Sequence, residues 1–422
     1  MSADTFAAPA PAVSPSTTPP AAMSDRTRHA LGVAAGALLL GALGDGLLRP
    51  TPWGLNLALW TLALVAVTAA LQRWTAGDAE LEWAPVALGV AVLMAWRDSP
   101  TLKGLDLAAL LVTLGLAVYR ARGGAVLRAG LAAHAVGLVE AAWETVSGPA
   151  RLVGRDVRWA ELPRGRWSRA AAGVARGLTV AVPLLLLFGA LLASADAAFE
   201  RLLGRLFSGD GDFASHLMLA ALFTWVAGGI LRPLVLPPEA PPTDRKLPRK
   251  PSVGIVETAT VLGLLNVLFL AFVAVQVPYF FGSAAMVEAP GTTTYAQYAR
   301  RGFFELVWVA GMVLPMLLVA EWLLRKESAR VERTFRLLAG AMVALLLVIV
   351  ASALHRMRLY QAAYGLTELR LYTTAFMGWL AVLFAWFAAT VLLGRRERFA
   401  FGGLMAALLA LVLLHGVNPD GL

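Results

Sequence analysis

The chain reads as an all-α, polytopic transmembrane helix bundle, and three observations lead there. Eleven apolar stretches, each long enough or nearly long enough to cross a bilayer, run through its 422 residues. Apolar residues make up 59% of the sequence and mean hydropathy is +0.69, far beyond what a soluble core of this length needs. Lys and Arg fall in alternate gaps between the stretches, which places the N-terminus inside.

Residues 1–28 are rich in Ala, Pro, Ser and Thr, cannot bury enough apolar surface to fold, and are expected to form a disordered cytoplasmic tail. The first apolar run, 30–48, is long for a signal-peptide core and has no small-x-small cleavage site, so it is expected to stay as an anchor. Further spans are expected at 53–71, 85–96, 105–119, 177–193 and 213–231, completing an N-terminal membrane region over 29–231. The 85–96 stretch is short against the roughly 20 residues a span needs. Residues 232–252 form a Pro-rich cytoplasmic linker. Spans at 255–278, 303–324, 337–354, 371–393 and 399–415 then make up a C-terminal membrane region over 253–422. Trp53, Trp74, Trp83, Trp96 and Trp322 stand at span ends, where an aromatic belt places them.

Segment 130–147 is amphipathic. At 100° per residue, His134, Gly137, Glu140, Glu144 and Ser147 share one side, and Leu131, Leu138, Val139 and Val146 share the other. Crossing the membrane here would make twelve spans and put Arg151, Arg155, Arg158, Arg164, Arg166 and Arg169 outside. The segment is therefore expected to lie at the inner interface. With eleven spans, 26 Lys and Arg stand inside and 10 outside. That asymmetry explains the net charge of +9 by membrane orientation, so nucleic acid is not an expected partner. The preference for Arg over Lys, with abundant Ala and Leu, fits a GC-rich bacterial genome and a multi-pass protein of the bacterial cytoplasmic membrane.

The chain has no cysteine, which removes disulfides, thiolate metal sites and Cys nucleophiles. GxxxxGK[ST], strand-borne GxGxxG, HExxH and GxSxG are all missing, and the five histidines are scattered. No metal or cofactor is expected. Gly32 and Gly36 form a GxxxG that ordinary close packing accounts for. Asp45, Asn266, Gln276 and Glu321 are the polar intrusions into the spans, too few to support a buried proton relay.

Polar and aromatic groups concentrate in three outer segments, 191–203, 291–306 and 352–372. Structural roles account for part of them. Asp196 is placed to cap a helix, Thr294 with Gln297 forms a capping box, and Arg301 pairs with Glu305 one turn on. Gly365 ends one helix, Thr367 caps the next, and Glu368 complements its N-terminal dipole. Arg356, Tyr360 and Tyr364 fall on one helix stripe. A rigid guanidinium fork beside two phenols suits an anionic or sugar-like group, although an aromatic-belt anchor is the competing reading. The candidate ligand-binding set is thus Arg356, Tyr360, Tyr364, Glu368, Arg370, Arg301, Glu305, Tyr295, Tyr298 and Asp196.

The strings RDSP (97–100), PLLLLFGALLASAD (183–196), ETATVLGLLNVLFLAFVAVQVPYFFG (257–282), YAQYARRGFFEL (295–306) and RMRLYQAAYGLTELRLY (356–372) resemble the domain-of-unknown-function 4173 family of bacterial membrane proteins. The resemblance covers most of residues 90–420. It implies no substrate, cofactor or catalytic residue. Family members often continue past the NPD found here at 418–420, so an outer C-terminal module is expected to be lacking. The leading functional expectation is a non-catalytic or transport-type component that binds an anionic envelope ligand, a lipid or lipid-linked saccharide, at an extracytoplasmic cleft. Alternatives are a metal-independent membrane transferase, with Glu305 or Glu368 as base and Arg301, Arg356 or Arg370 holding phosphate charge, and a membrane sensor subunit. Membrane lipids are expected partners under each reading.

Overall fold

A computed structural model describes residues 23–162, 177, 213–236, 253–281, 303–325 and 328–419, and these are helical throughout apart from turns, loops and one isolated bridge between Val253 and Leu324. The described helices are α1 (Asp25–Leu48), α2 (Leu55–Ala76), α3 (Ala84–Trp96), α4 (Pro100–Ala121), α5 (Leu131–Arg151), α6 (Phe213–Val235), α7 (Ile255–Phe281), α8 (Phe303–Leu323), α9 (Ala329–Tyr364), α10 (Glu368–Thr390) and α11 (Phe399–Val417). Eight of them are long and apolar enough to cross a membrane, and α3 and α8 supply shorter apolar helices. All but the first residue of the expected 177–193 span, residues 1–22 of the tail and most of the linker lie outside the described residues.

Two apolar cores form. One joins α1–α4 and α6 around Leu40, Leu64, Leu114 and Leu231. The other joins α7–α10 around Leu317, Met342, Leu346 and Phe384. Small residues set the closest approaches. In α1, Gly32 faces Trp74 and Leu71 of α2, and Gly41 faces Thr224 of α6. The GxxxG glycines therefore serve packing inside the chain, as ordinary close packing predicts. Away from the cores the helices show apolar side chains outward: on α7, Val256, Leu264 and Val275 are 73%, 68% and 68% exposed. Water would penalise such a surface and lipid would not, so the chain is a multi-pass membrane protein.

The amphipathic segment forms α5, which turns its polar side toward the protein. His134, Gly137, Glu144 and Gly148 are buried, whereas Val139 and Trp143 are 70% and 63% exposed. Its contacts with α4 include Leu138 and Ala141 beside Gly115, and with α6 they include Gly148 beside Gly229 and Trp225 Nε1 donating to the Val146 carbonyl at 3.0 Å. Its ionic contacts lie toward the end of the bundle where the cations gather, while the Trp225 contact is midway along α6. Glu144 accepts from Arg151 at 2.6 Å, from Arg122, and from Arg232 at 3.5 Å. Asp156, in the π turn that follows α5, accepts from Arg232 at 2.6 Å and from Arg26 at 2.5 Å. Both carboxylates are buried, and such groups require this number of charged donors.

Candidate functional site

At the opposite end of the bundle, the turn between α9 and α10 holds the described part of the site expected from sequence. Gly365 ends α9 at φ 75°, in the left-handed region that glycine adopts without strain. Thr367 occupies the expected position before α10, and its carbonyl accepts the Leu371 N–H at 3.0 Å, but its hydroxyl forms no cap bond. Arg370 takes the structural role instead. Its Nη1 donates to the carbonyls of Tyr364 at 3.0 Å and Gly365 at 2.5 Å, satisfying the end of α9. The same guanidinium lies 4.2 Å from the centre of the Tyr360 ring, and the rings of Tyr360 and Tyr364 are 5.0 Å apart. Gln361 Nε2 donates to Thr374 Oγ1 at 3.0 Å and ties the two helices together beside them.

The two tyrosines therefore share a stripe as helix periodicity requires, and the cation over the first ring is Arg370. Arg356, half-buried, stands one turn before Tyr360, and Glu368 is exposed in the first turn of α10. Arg301, Tyr295, Tyr298 and Asp196 lie outside the described residues, as do Thr294 and Gln297. Glu305 belongs to the first turn of α8, and its side chain also falls outside the description.

Beside this turn the two halves of the molecule meet through residues that the sequence reading passed over. Ser99 caps α4 and is hydrogen-bonded to the Tyr372 hydroxyl of α10 at 3.2 Å. Arg97 Nε donates to the His415 carbonyl at 3.2 Å, and the Trp96 ring stacks against the His415 ring at 6.4 Å. Beneath them Asp106 of α4 and His415 of α11 are 1% and 0% exposed, with Asp106 Oδ2 at 3.2 Å from His415 Nε2. That is an ion-pair distance, yet the two atoms do not meet hydrogen-bond geometry with each other or with another described group. With Ser99 capping α4, Asp106 enters the helix by nearly two turns rather than opening a span at 105. A single signal in the sequence pointed here, the RDSP string at 97–100.

The four intrusions expected from sequence find separate explanations. Asp45 pairs with Arg49 at 2.8 Å and with His216 at 2.6 Å, at the same end as the Asp106 pair. Asn266 of α7 donates to the Leu338 carbonyl of α9 at 3.0 Å. Glu321 pairs with Arg396 at 3.2 Å, while the Gln276 side chain lies outside the description. Glu321 and Arg396 also line a cavity of about 450 Å³ at the cation-rich end, with Glu332, Arg336, Arg395 and Arg398. Within it Arg336 pairs with Glu332 at 3.1 Å. Among the described residues no three His, Asp or Glu come together as a metal site would require.

Comparison with known proteins gives a family and no activity. No curated protein and no solved structure matches the chain. A family model described as a domain of unknown function, number 4153, matches residues 84–422. That range agrees with the extent of the resemblance seen in the motifs, and it shows the domain of unknown function at the level of the 4153 family without confirming the specific 4173 family. The match takes in α3–α11 and so both sides of the junction at Asp106 and His415, and the chain belongs to the domain-of-unknown-function 4153 family.

Proposed function

We propose that this protein is a non-catalytic or transport-type component of the bacterial cytoplasmic membrane, which binds an anionic envelope ligand, a lipid or lipid-linked saccharide, on its outer face. The observation that carries this reading is the group at the α9–α10 turn, where Arg370 lies over Tyr360 with Tyr364 alongside. The excess of cations at the opposite end makes this face the outer one by the positive-inside rule. Aromatic faces and hydroxyls receive a sugar ring, and guanidinium groups of Arg356 and Arg370 receive phosphate or carboxylate oxygens. Arg301, Tyr295 and Tyr298 belong to the preceding outer segment and extend the same chemistry.

Native mass spectrometry of protein purified in mild detergent tests the reading. Tyr360→Phe and Arg356→Lys keep bulk or charge but lose the hydroxyl or the planar fork. Both are expected to fold normally and to retain less co-purifying anionic lipid than the wild type. Unchanged occupancy in both variants, with only alanine replacements harmful, would make the tyrosines membrane anchors and end the ligand reading.

A further inference from the structure

We infer that Asp106 and His415 form a proton-binding site at the seam between the two halves of the molecule, and that release of its proton parts α11 from α4. This inference does not rest on the ligand reading above. It starts from the tautomer of His415. Nδ1 of that ring lies 2.9 Å from the Leu411 carbonyl, which only accepts, so Nδ1 carries a hydrogen and donates it. In a neutral ring Nε2 is then a bare lone pair, and it faces the lone pairs of Asp106 Oδ2 at 3.2 Å. A carboxylate oxygen and an imidazole lone pair are kept that close in a buried site only when one of the two groups carries a proton. The pair holding one proton is electrically neutral, whether drawn as carboxylate with imidazolium or as carboxylic acid with imidazole. Loss of that proton to water leaves a carboxylate and a neutral ring, a single negative charge in a site that is 1% and 0% exposed. Such a charge is tolerated only if water reaches it, and water reaches it only if the seam opens.

Among the described residues, the surroundings leave the pair to set its own charge. From α3 the Trp96 ring covers His415, and Arg97 just beyond it is directed to the His415 carbonyl. On α4 the nearest charge is Lys103, which is paired with Asp98. Tyr372 of α10 is bonded to Ser99. Helix α5 also touches α11, and of its titratable groups His134 is bonded to the Val126 carbonyl, Glu144 to arginines at the cation-rich end, and Glu140 lies between them in sequence. None of these contacts supplies a counter-ion to Asp106 other than His415.

The absence of native cysteine makes the test direct. In ¹⁵N-histidine-labelled protein at neutral pH, one ring should show a proton shared at Nε2, missing from Asp106→Asn and His415→Gln. A wild-type Nε2 that neither carries a proton nor accepts one from the Asp106 carboxyl, shifted as a free imidazole nitrogen, would overturn the site. Next, a single cysteine at Leu411, which is buried one turn before His415, reports opening of the seam. Its labelling rate by a small maleimide is divided by the rate in an Asp106→Asn background, which cancels the pH dependence of the thiol itself. That ratio should rise about tenfold across the pH range in which the shared proton is lost. If it stays flat across that range, or if the proton is never lost short of unfolding, release does not open the seam and that step falls. Should Asp106→Asn fail to fold, Asp106→Asn/His415→Gln, also neutral, serves as the reference.

Discussion

Arg370 does two jobs with one planar group, and a lysine cannot do both. Its fork reaches two backbone carbonyls at the end of α9 while its face lies on Tyr360. Arg370→Ala is expected to lower stability by about 1 to 2 kcal/mol, from lost charge-assisted hydrogen bonds and lost stacking. Arg370→Lys should recover less than half of that, as read by thermal unfolding in detergent, and full recovery would show that charge alone matters. A second residue gives a pH signature. Ser24 donates to Glu161 from its hydroxyl at 2.6 Å and from its backbone N–H at 2.9 Å, holding that carboxyl at about 2 against an ordinary 4.5. A lowered pKa stabilises the fold above the ordinary value, and that stability is lost as pH falls toward the folded one. The difference in melting temperature between wild type and Glu161→Gln should therefore be full above pH 4.5 and shrink toward pH 2. A difference independent of pH would place the effect in the hydrogen bonds rather than the charge.

At the scale of elements, α5 is held by its polar side. Its polar side meets arginines from α1, α4 and α6 by way of Glu144 and the adjoining Asp156, and its apolar side is left for lipid. The close approach to α6 depends on Gly229, where a Cβ would meet the Thr145 Cα at 2.6 Å and its carbonyl carbon at 2.7 Å. Backbone cannot yield as a flexible side chain does. Gly229→Ala should push α5 away and cost about 1 to 3 kcal/mol, measurable as a lower melting temperature. Gly46, whose Cβ would meet open space, is the control and should tolerate alanine with little change. Equal behaviour of the two variants would mean that α5 packs more loosely than these distances state.

For the whole molecule, charge asymmetry and the two cores together set out a bundle whose halves join at the end poorer in cations. The 26 to 10 division of Lys and Arg carries the orientation. Reporter fusions after Arg166, Lys250, Arg333 and Arg398 should read cytoplasm, and those after Gly209, Gly291 and Gln361 the exterior. An external reading after Arg166 would make 130–147 a twelfth span. Among the described residues the join includes Ser99 with Tyr372, Arg97 and Trp96 with His415, and the buried Asp106–His415 pair.

The sequence by itself determined the class of the molecule, the described helices to within a few residues except that α1, α2, α4 and α9 run further than their apolar cores, and the amphipathic character of α5. It could do so because hydrocarbon offers no hydrogen-bond partners, so length and hydropathy alone select what spans. Gly365 ending α9 was legible from local turn chemistry, whereas the Ser328 cap that starts α9 eight residues before the expected span was not read. Which polar groups meet was decided by tertiary structure. Periodicity placed Arg356 with the two tyrosines on one stripe, but Arg370 reaches the first ring from the next helix, and only the turn at Gly365 brings it there. Asp106 and His415 each sit near a helix end, where sequence reads an interfacial group. The approach of α11 to α4 buries them together, because proximity between distant segments follows from packing and not from the local pattern that the chain displays.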